Sequence, residues 1–180
     1  IAESSGFKIL AVWENGFRHV TSSTREIRGP ADLKSFKLRV PPAPLFLMFT
    51  KSVGANATPI AFAEVYLALQ NGTVEAQENP LTAIDAKKFY EVQKNIALTG
   101  HIVDHLNTVV SKKVWAGLSD ADKQIFTEVM MEAAERSTKI VEEREAKLAD
   151  DFRAKGLNVA EVDKADFEKN VLEKIPFEDF

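Results

Sequence analysis

The placement of proline and glycine constrains this chain more than any other feature. Six of its seven prolines fall between Pro30 and Pro80, and neither proline nor glycine occurs between Gly117 and Gly156. Proline fixes φ and removes a backbone donor, so the first half must be built from short elements separated by turns. The second half can hold one long helix. Ser119, with Asp120 and Asp122 behind it, supplies a capping hydroxyl and acids at the positive end of a helix dipole. Phe126, Met130, Ala133, Val141, Leu148 and Phe152 continue a helical stripe. A helix over about 119–155 would be roughly 55 Å long at 1.5 Å per residue. That exceeds one small domain, so the helix is expected to lie across two. The alternative is two helices broken near Ser137–Thr138. The ten acids and seven bases of the segment read as a solvated face.

The turn-rich half alternates strand and helix. Lys8 to Trp13 reads as a buried strand, Glu14-Asn15-Gly16 as a turn, and Arg18 to Thr21 as a second extended stretch. Pro30 suits the first position of a short helix. Lys37 to Val40 is a strand stopped by Pro41-Pro42. Pro44 opens a helix that ends at Gly54. Phe62, Val65, Tyr66 and Leu69 have the spacing of one buried helical face. Thr73 to Asn79 is a strand stopped by Pro80, and Leu81 to Gln93 is helical. Asn95 to Gly100 and Leu106 to Val110 are further strands. This order predicts an α/β fold with helices covering a mainly parallel sheet.

Composition removes several function classes. The net charge is −4 and the pI is near 5.5, without the basic footprint of a nucleic-acid binder. There is no cysteine, hence no disulfide, thiol nucleophile or thiolate metal site. The longest apolar run, Leu45 to Phe49, is far short of the ~20 residues of a membrane span. His101 and His105 are four apart, but they lack the glutamate of the zinc-protease helix and a third ligand, so no metal is expected. No cofactor-binding motif occurs. The start at Ile1 reads as a processed or truncated end.

Four residues are candidates for binding. Arg39 stands at the carboxyl end of a strand, where open α/β sheets take ligands, and a guanidinium there can hold a carboxylate with two parallel hydrogen bonds. Pairing to a nearby acid is the competing role. Asn79, at a strand end in Gln77-Glu78-Asn79-Pro80, can donate and accept; capping the next helix is its alternative. Phe62 could stack on a ligand or pack in the core. Arg18 could be a second anion contact or a surface arginine. An enzyme acting on an anionic substrate would use Arg39 as a clamp, with His19 or Glu78 as acid and base.

Six segments resemble solute-binding proteins of TRAP transporters, the DctP-type family. They are Trp13 to His19, Lys37 to Pro41, Gly54 to Pro59, Phe62 to Gln70, Gln77 to Pro80 and Lys88 to Lys94. The resemblance implies the C-terminal part of a periplasmic binding protein-like, two-lobed α/β fold with a long lobe-spanning helix. Its expected division is 1–12 as the end of the first lobe and hinge strand, 13–103 as the second lobe, and 104–180 as the return to the first lobe. It implies a periplasmic protein, signal peptide removed, that captures a small organic acid for the TRAP membrane permease subunits without a chemical step. It assigns ligand contacts to Arg39, Asn79, Phe62 and Arg18. The missing N-terminal part of the same protein would be a partner. An inactive fragment is the duller alternative. Ser35 and Ala76 stand where the family often has glycine, which puts two local turns in question.

Overall fold

The structure, a computed structural model, describes residues 5–175. The termini at Ile1 and Phe180 lie outside the described residues. In chain order the elements are β1 (Phe7–Ser22), β2 (Lys37–Val40), α1 (Pro44–Val53), β3 (Asn56–Pro59), α2 (Val65–Gln70), β4 (Ala76–Asn79) and α3 (Leu81–Ala86). They continue with β5 (Asn95–Ser111), α4 (Lys112–Ala116), α5 (Asp120–Ala154), β6 (Asn158–Ala160) and α6 (Lys164–Lys174). The chain divides into two compact units. One holds residues 1–16 and 103–146, the other 17–102 and 147–180. The expected stretch 104–180 is therefore split, with its last part in the same unit as Phe17–Ile102.

The larger unit carries a sheet of order β3-β2-β4-β1-β5-β6. β2 is parallel to both β3 and β4, and β6 is parallel to β5. β1 is antiparallel to β4, with His19 opposite Asn79. Lys94 N–H donates to Ser22 O and Lys112 N–H to Gly6 O, so β5 also runs against β1. Five strands thus share one direction, as the alternation of strand and helix predicts, and β1 alone is reversed. Neighbouring residues of β5 face opposite sides. Ala97 joins a core with Leu38, Val40, Phe49, Val53 and Phe167. Ile96 and Leu98 join another with Val65, Leu69, Ile84, Phe89, Leu148 and Phe152. Helices α1 and α6 cover one face; α2, α3 and the end of α5 cover the other. The fold class is α/β, as expected.

Several boundaries differ from expectation for physical reasons. Glu14-Asn15-Gly16 does not break β1: Gly16 takes φ +109 within the strand, and its N–H donates to Glu14 Oε1 at 2.9 Å. Gly100, at φ +56, likewise lets β5 run on where two strands were expected. α3 stops at Ala86, because Lys88 adopts a left-handed φ of 55 before a short 3₁₀ turn. The strand after Thr73 begins only at Ala76, and β3, β6 and α6 were not foreseen. α5 is continuous over Asp120–Ala154, which settles the alternative of a break near Ser137–Thr138. Ser119 caps it, its hydroxyl accepting from Asp122 N–H at 3.1 Å. Ser35 does adopt a left-handed φ of 63, whereas Ala76 sits in an ordinary strand.

The smaller unit has little core of its own. Its buried hydrophobics, among the described residues, are Ala11 and Ala134. Ile9 and Val12 of the expected buried strand are exposed, as are Leu106, Ile125, Phe126 and Val129. Polar contacts also join its segments. Asn15 donates to Asp104 at 2.8 Å, and Glu14 N–H donates to the Thr138 hydroxyl at 3.2 Å.

Candidate functional site

Parallel β2, β4 and β5, with the reversed β1 between β4 and β5, bring four strand ends to one edge of the larger unit. The carboxyl ends of β2 and β4 supply Arg39 and Asn79. The first residues of β1 in this unit supply Arg18 and His19, and β5 supplies Thr99 and His101. Open α/β sheets bind ligands at such an edge. Buried polar groups need partners, and here most have them.

Arg18 is 3% exposed. Its Nε and Nη2 form a fork on the Glu78 carboxylate at 2.5 and 2.8 Å. Nη2 also donates to Glu78 O at 2.8 Å and to Asn79 Oδ1 at 3.1 Å. The Phe46 ring lies 4.8 Å from the guanidinium carbon. Arg18 is therefore a buried, paired arginine and not a surface one. Asn79 Nδ2 donates to Gln77 Oε1 at 2.5 Å. Gln77 Nε2 donates to the Thr21 hydroxyl at 3.0 Å, and Thr21 donates to Gln93 Oε1 at 2.7 Å. A continuous chain of polar contacts thus runs from Gln93 to Glu78. It uses the Asn79 amide, so Asn79 does not cap α3, whose N-cap is Pro80 without a side-chain bond.

Arg39 is placed differently. It is 1% exposed, yet no carboxylate lies within ion-pair distance of it among the described residues. Nε and Nη2 both donate to the Ile60 carbonyl, at 2.9 and 2.6 Å. Nη1 is buried without a partner. A buried guanidinium with one edge unsatisfied is costly in the absence of an anion. Burial lowers its pKa from 12.5 to about 10, with Glu78 opposing the shift and Arg18 adding to it. The group remains a cation at neutral pH. Pairing to a nearby acid, the competing role for Arg39, is not what the fold provides.

The spacing of Phe62 with Val65, Tyr66 and Leu69 predicts a place on the buried face of α2. Phe62 precedes that helix, in the 3₁₀ turn Phe62–Glu64, and is 41% exposed. Its ring packs edge-on against Phe89, with centroids 6.1 Å apart. It lies 6.0 Å from the Arg39 guanidinium carbon and 5.5 Å from Lys87 Nζ. An exposed aromatic face beside a buried cation suits the apolar side of a ligand.

Two histidines complete the cluster. His101 Nδ1 is 2.7 Å from the Thr99 hydroxyl, its Nε2 is 3.3 Å from Glu78 Oε2, and its ring stacks on Phe49 at 3.8 Å. The His101–Glu78 approach does not have hydrogen-bond geometry. His19 Nδ1 accepts from Gly100 N–H at 3.1 Å. Burial holds His19 down at about 3, helped by His101 and Lys164. Burial also lowers His101, against the pull of Glu78. Both are neutral at neutral pH. His101, Thr21 and Gln93 join this cluster although the sequence does not mark them as ligand contacts. Thr21 and His101 are polar side chains on strands, whereas Gln93 lies in the loop before β5 and carries no local signal. Among the described residues no group of three His, Cys, Asp or Glu side chains could hold a metal ion. No described helix is long and apolar enough to cross a membrane.

Residues 2–176 match the model of DctP, the bacterial extracellular solute-binding protein family 7. The chain belongs to this family. The resemblance carried by the six segments is thereby borne out. A curated relative, the sialic acid-binding periplasmic protein SiaP of Vibrio cholerae, is 43% identical over 161 residues, 89% of this chain and 50% of that protein. A TRAP periplasmic solute-binding protein from Roseobacter denitrificans, solved with bound 3-deoxy-D-manno-oct-2-ulosonic acid, matches with a TM-score of 0.90 and 36% identity. The match covers 96% of this chain and 58% of that one. A third from Ralstonia eutropha, with bound (S)-2-acetolactate, gives a TM-score of 0.90 at 35% identity over 95% of this chain and 57% of that one. The chain thus spans about half the length of the relatives it matches.

Proposed function

We propose that this chain is the acid-holding part of a periplasmic solute-binding subunit of a TRAP transporter. It captures a small organic acid and delivers it to the membrane permease. The observation that carries this reading is Arg39, buried at the carboxyl end of β2 with Nη1 unpartnered. A carboxylate is the planar anion that completes such a fork. Asn79 and Phe62 border the same edge, and Arg18 supports Asn79 from behind. The acids bound by the matched family members are of the class this reading requires. The exposed hydrophobics of the smaller unit support a further partner, the remainder of the same protein, which would cover them.

Binding without chemistry is favoured over catalysis. Glu78 is committed to Arg18, and His19 is too weak a base to take a proton near neutral pH. The test is calorimetry of the whole protein with a panel of organic acids, followed by recovery of the bound acid. Saturable binding and an unchanged acid after long incubation are expected. Turnover that disappears in His19→Ala would overturn the reading.

A further inference from the structure

We infer that Thr21, Gln77 and Gln93, buried side chains that no ligand can touch, are positioning residues that fix the Asn79 amide for the bound acid. The inference rests on the acid-binding reading above and deepens it by naming what holds one of the contacts. Thr21 and Gln77 are 0% exposed and Gln93 is 3% exposed, all within the larger unit. Segments of the whole protein beyond this chain therefore have no surface of Thr21 or Gln77 to touch. Thr21 is paired with Gln77 across β1 and β4, and Gln77 with Arg39 across β4 and β2. The three side chains thus form one row, on the side of the sheet opposite to Leu38 and Ala76. That side otherwise carries the apolar core of Leu69, Phe89, Ile96 and Leu98. Polar side chains in such a core cost stability unless each is satisfied, and a satisfied network specifies one arrangement.

Every hydrogen bond in the run points the same way. Arg18 Nη2 donates to Asn79 Oδ1 at 3.1 Å, and Asn79 Nδ2 donates to Gln77 Oε1 at 2.5 Å. Gln77 Nε2 donates to the Thr21 hydroxyl at 3.0 Å, and that hydroxyl donates to Gln93 Oε1 at 2.7 Å. Gln93 Nε2 closes the run on the Val92 carbonyl at 2.9 Å. Both ends enforce this polarity, because a guanidinium only donates and a carbonyl only accepts. Turning the amide of Asn79 or Gln77 over would set donor against donor at one contact and acceptor against acceptor at another. The Asn79 amide is therefore held from two sides. It carries two N–H hydrogens, of which Gln77 takes one. The other is offered in a fixed direction at the strand edge, where it donates to an oxygen of the acid. A donor ordered in advance costs less to engage than one that must be ordered on binding. Without the Thr21 hydroxyl, Gln77 loses the partner that orients it, and Arg18 alone is left to hold Asn79.

The experiment is a double-mutant cycle in the whole natural protein, read by calorimetry at neutral pH. The probe is the tightest binder in a panel of hydroxy, keto and sugar acids that includes D-erythronate, L-galactonate and N-acetylneuraminate. Thr21→Val keeps the shape of the side chain and removes the hydroxyl, which should weaken binding by about tenfold, the scale of one hydrogen bond. Thr21→Ser keeps the hydroxyl and should bind within about twofold of the natural protein. In an Asn79→Ala background, Thr21→Val should change affinity by less than about twofold, since the amide it orients is gone. A merely structural Thr21 would lose the same factor in both backgrounds, and that result overturns the inference. So does a Thr21→Val or an Asn79→Ala protein that binds as tightly as the natural one. Gln93→Leu cuts the run at its far end and replaces Thr21→Val, with the same expected pattern, if that variant does not fold. These failures leave the acid-binding reading on Arg39 intact. A natural protein that binds none of the acids overturns both.

Discussion

Replacing Glu78 with alanine tests whether the Arg18–Glu78 pair holds the strand edge together. The two side chains are 4% and 0% exposed and joined by a fork at 2.5 and 2.8 Å. Removing one partner of a buried pair leaves the other charge desolvated and uncompensated, a loss of about 3–5 kcal/mol. At about 2–4 °C per kcal/mol for a protein of this size class, the midpoint should fall by about 6–20 °C. Urea denaturation followed by circular dichroism gives the free energy directly. The double replacement Arg18→Met/Glu78→Leu should recover most of the loss, since apolar substitutes for a buried pair are often near neutral. Two results refute the reasoning. One is a loss below about 1 kcal/mol in Glu78→Ala, which belongs to an exposed pair. The other is a double variant as unstable as the sum of the two singles.

Three further outcomes follow from individual contacts. The pKa of His19 is lowered on folding from 6.5 to about 3, so the unfolded chain takes up the proton more readily. The stability this provides is complete above pH 6.5 and is lost as the pH falls toward 3, with a slope of up to about 1.4 kcal/mol per pH unit; a pH series of urea melts should show that slope reduced in His19→Asn. Ser35 is exposed at φ 63, with its N–H donating to Gly54 O and its carbonyl accepting from Asn56, contacts that glycine retains. Ser35→Gly should therefore raise stability by up to about 1 kcal/mol in thermal scans, and a fall would contradict the strain argument. Phe62→Ala should weaken acid binding by about tenfold in calorimetry while moving the unfolding midpoint little, because the ring is 41% exposed. A large midpoint shift with unchanged affinity would return Phe62 to a packing role.

The elements legible in the sequence are those fixed by local chemistry. α5 follows from its cap at Ser119 and an uninterrupted run without proline or glycine. The cap of α6 was as readable: the Asp163 carboxylate accepts from Ala165 N–H at 2.9 Å, ahead of the buried Phe167. Pairing across the sheet was not readable. Nothing near Arg18 in the chain indicates that it meets Glu78, sixty residues on, because β1 inserts antiparallel between β4 and β5. Arg39 was legible as a strand-end cation, but its lack of an acid partner depends on Ile60 returning to β2, where its N–H donates to Val40 O. Phe62 misled because its spacing fits α2, which starts three residues later at Val65.

The most direct test of the central claim is calorimetry with Arg39→Lys and Arg39→Ala, using the acid that binds the whole protein most tightly. In the proposed site the ligand carboxylate sits on the Arg39 guanidinium. Lysine keeps the charge and loses the planar two-bond geometry. A hydrogen bond to a charged group contributes about 1.5–3 kcal/mol, so Arg39→Lys should weaken binding about 10–100-fold, and Arg39→Ala further still. Both variants should retain a cooperative unfolding transition. Unchanged affinity in a folded Arg39→Ala protein would contradict the account, because no other buried cation at this edge lacks a carboxylate partner among the described residues.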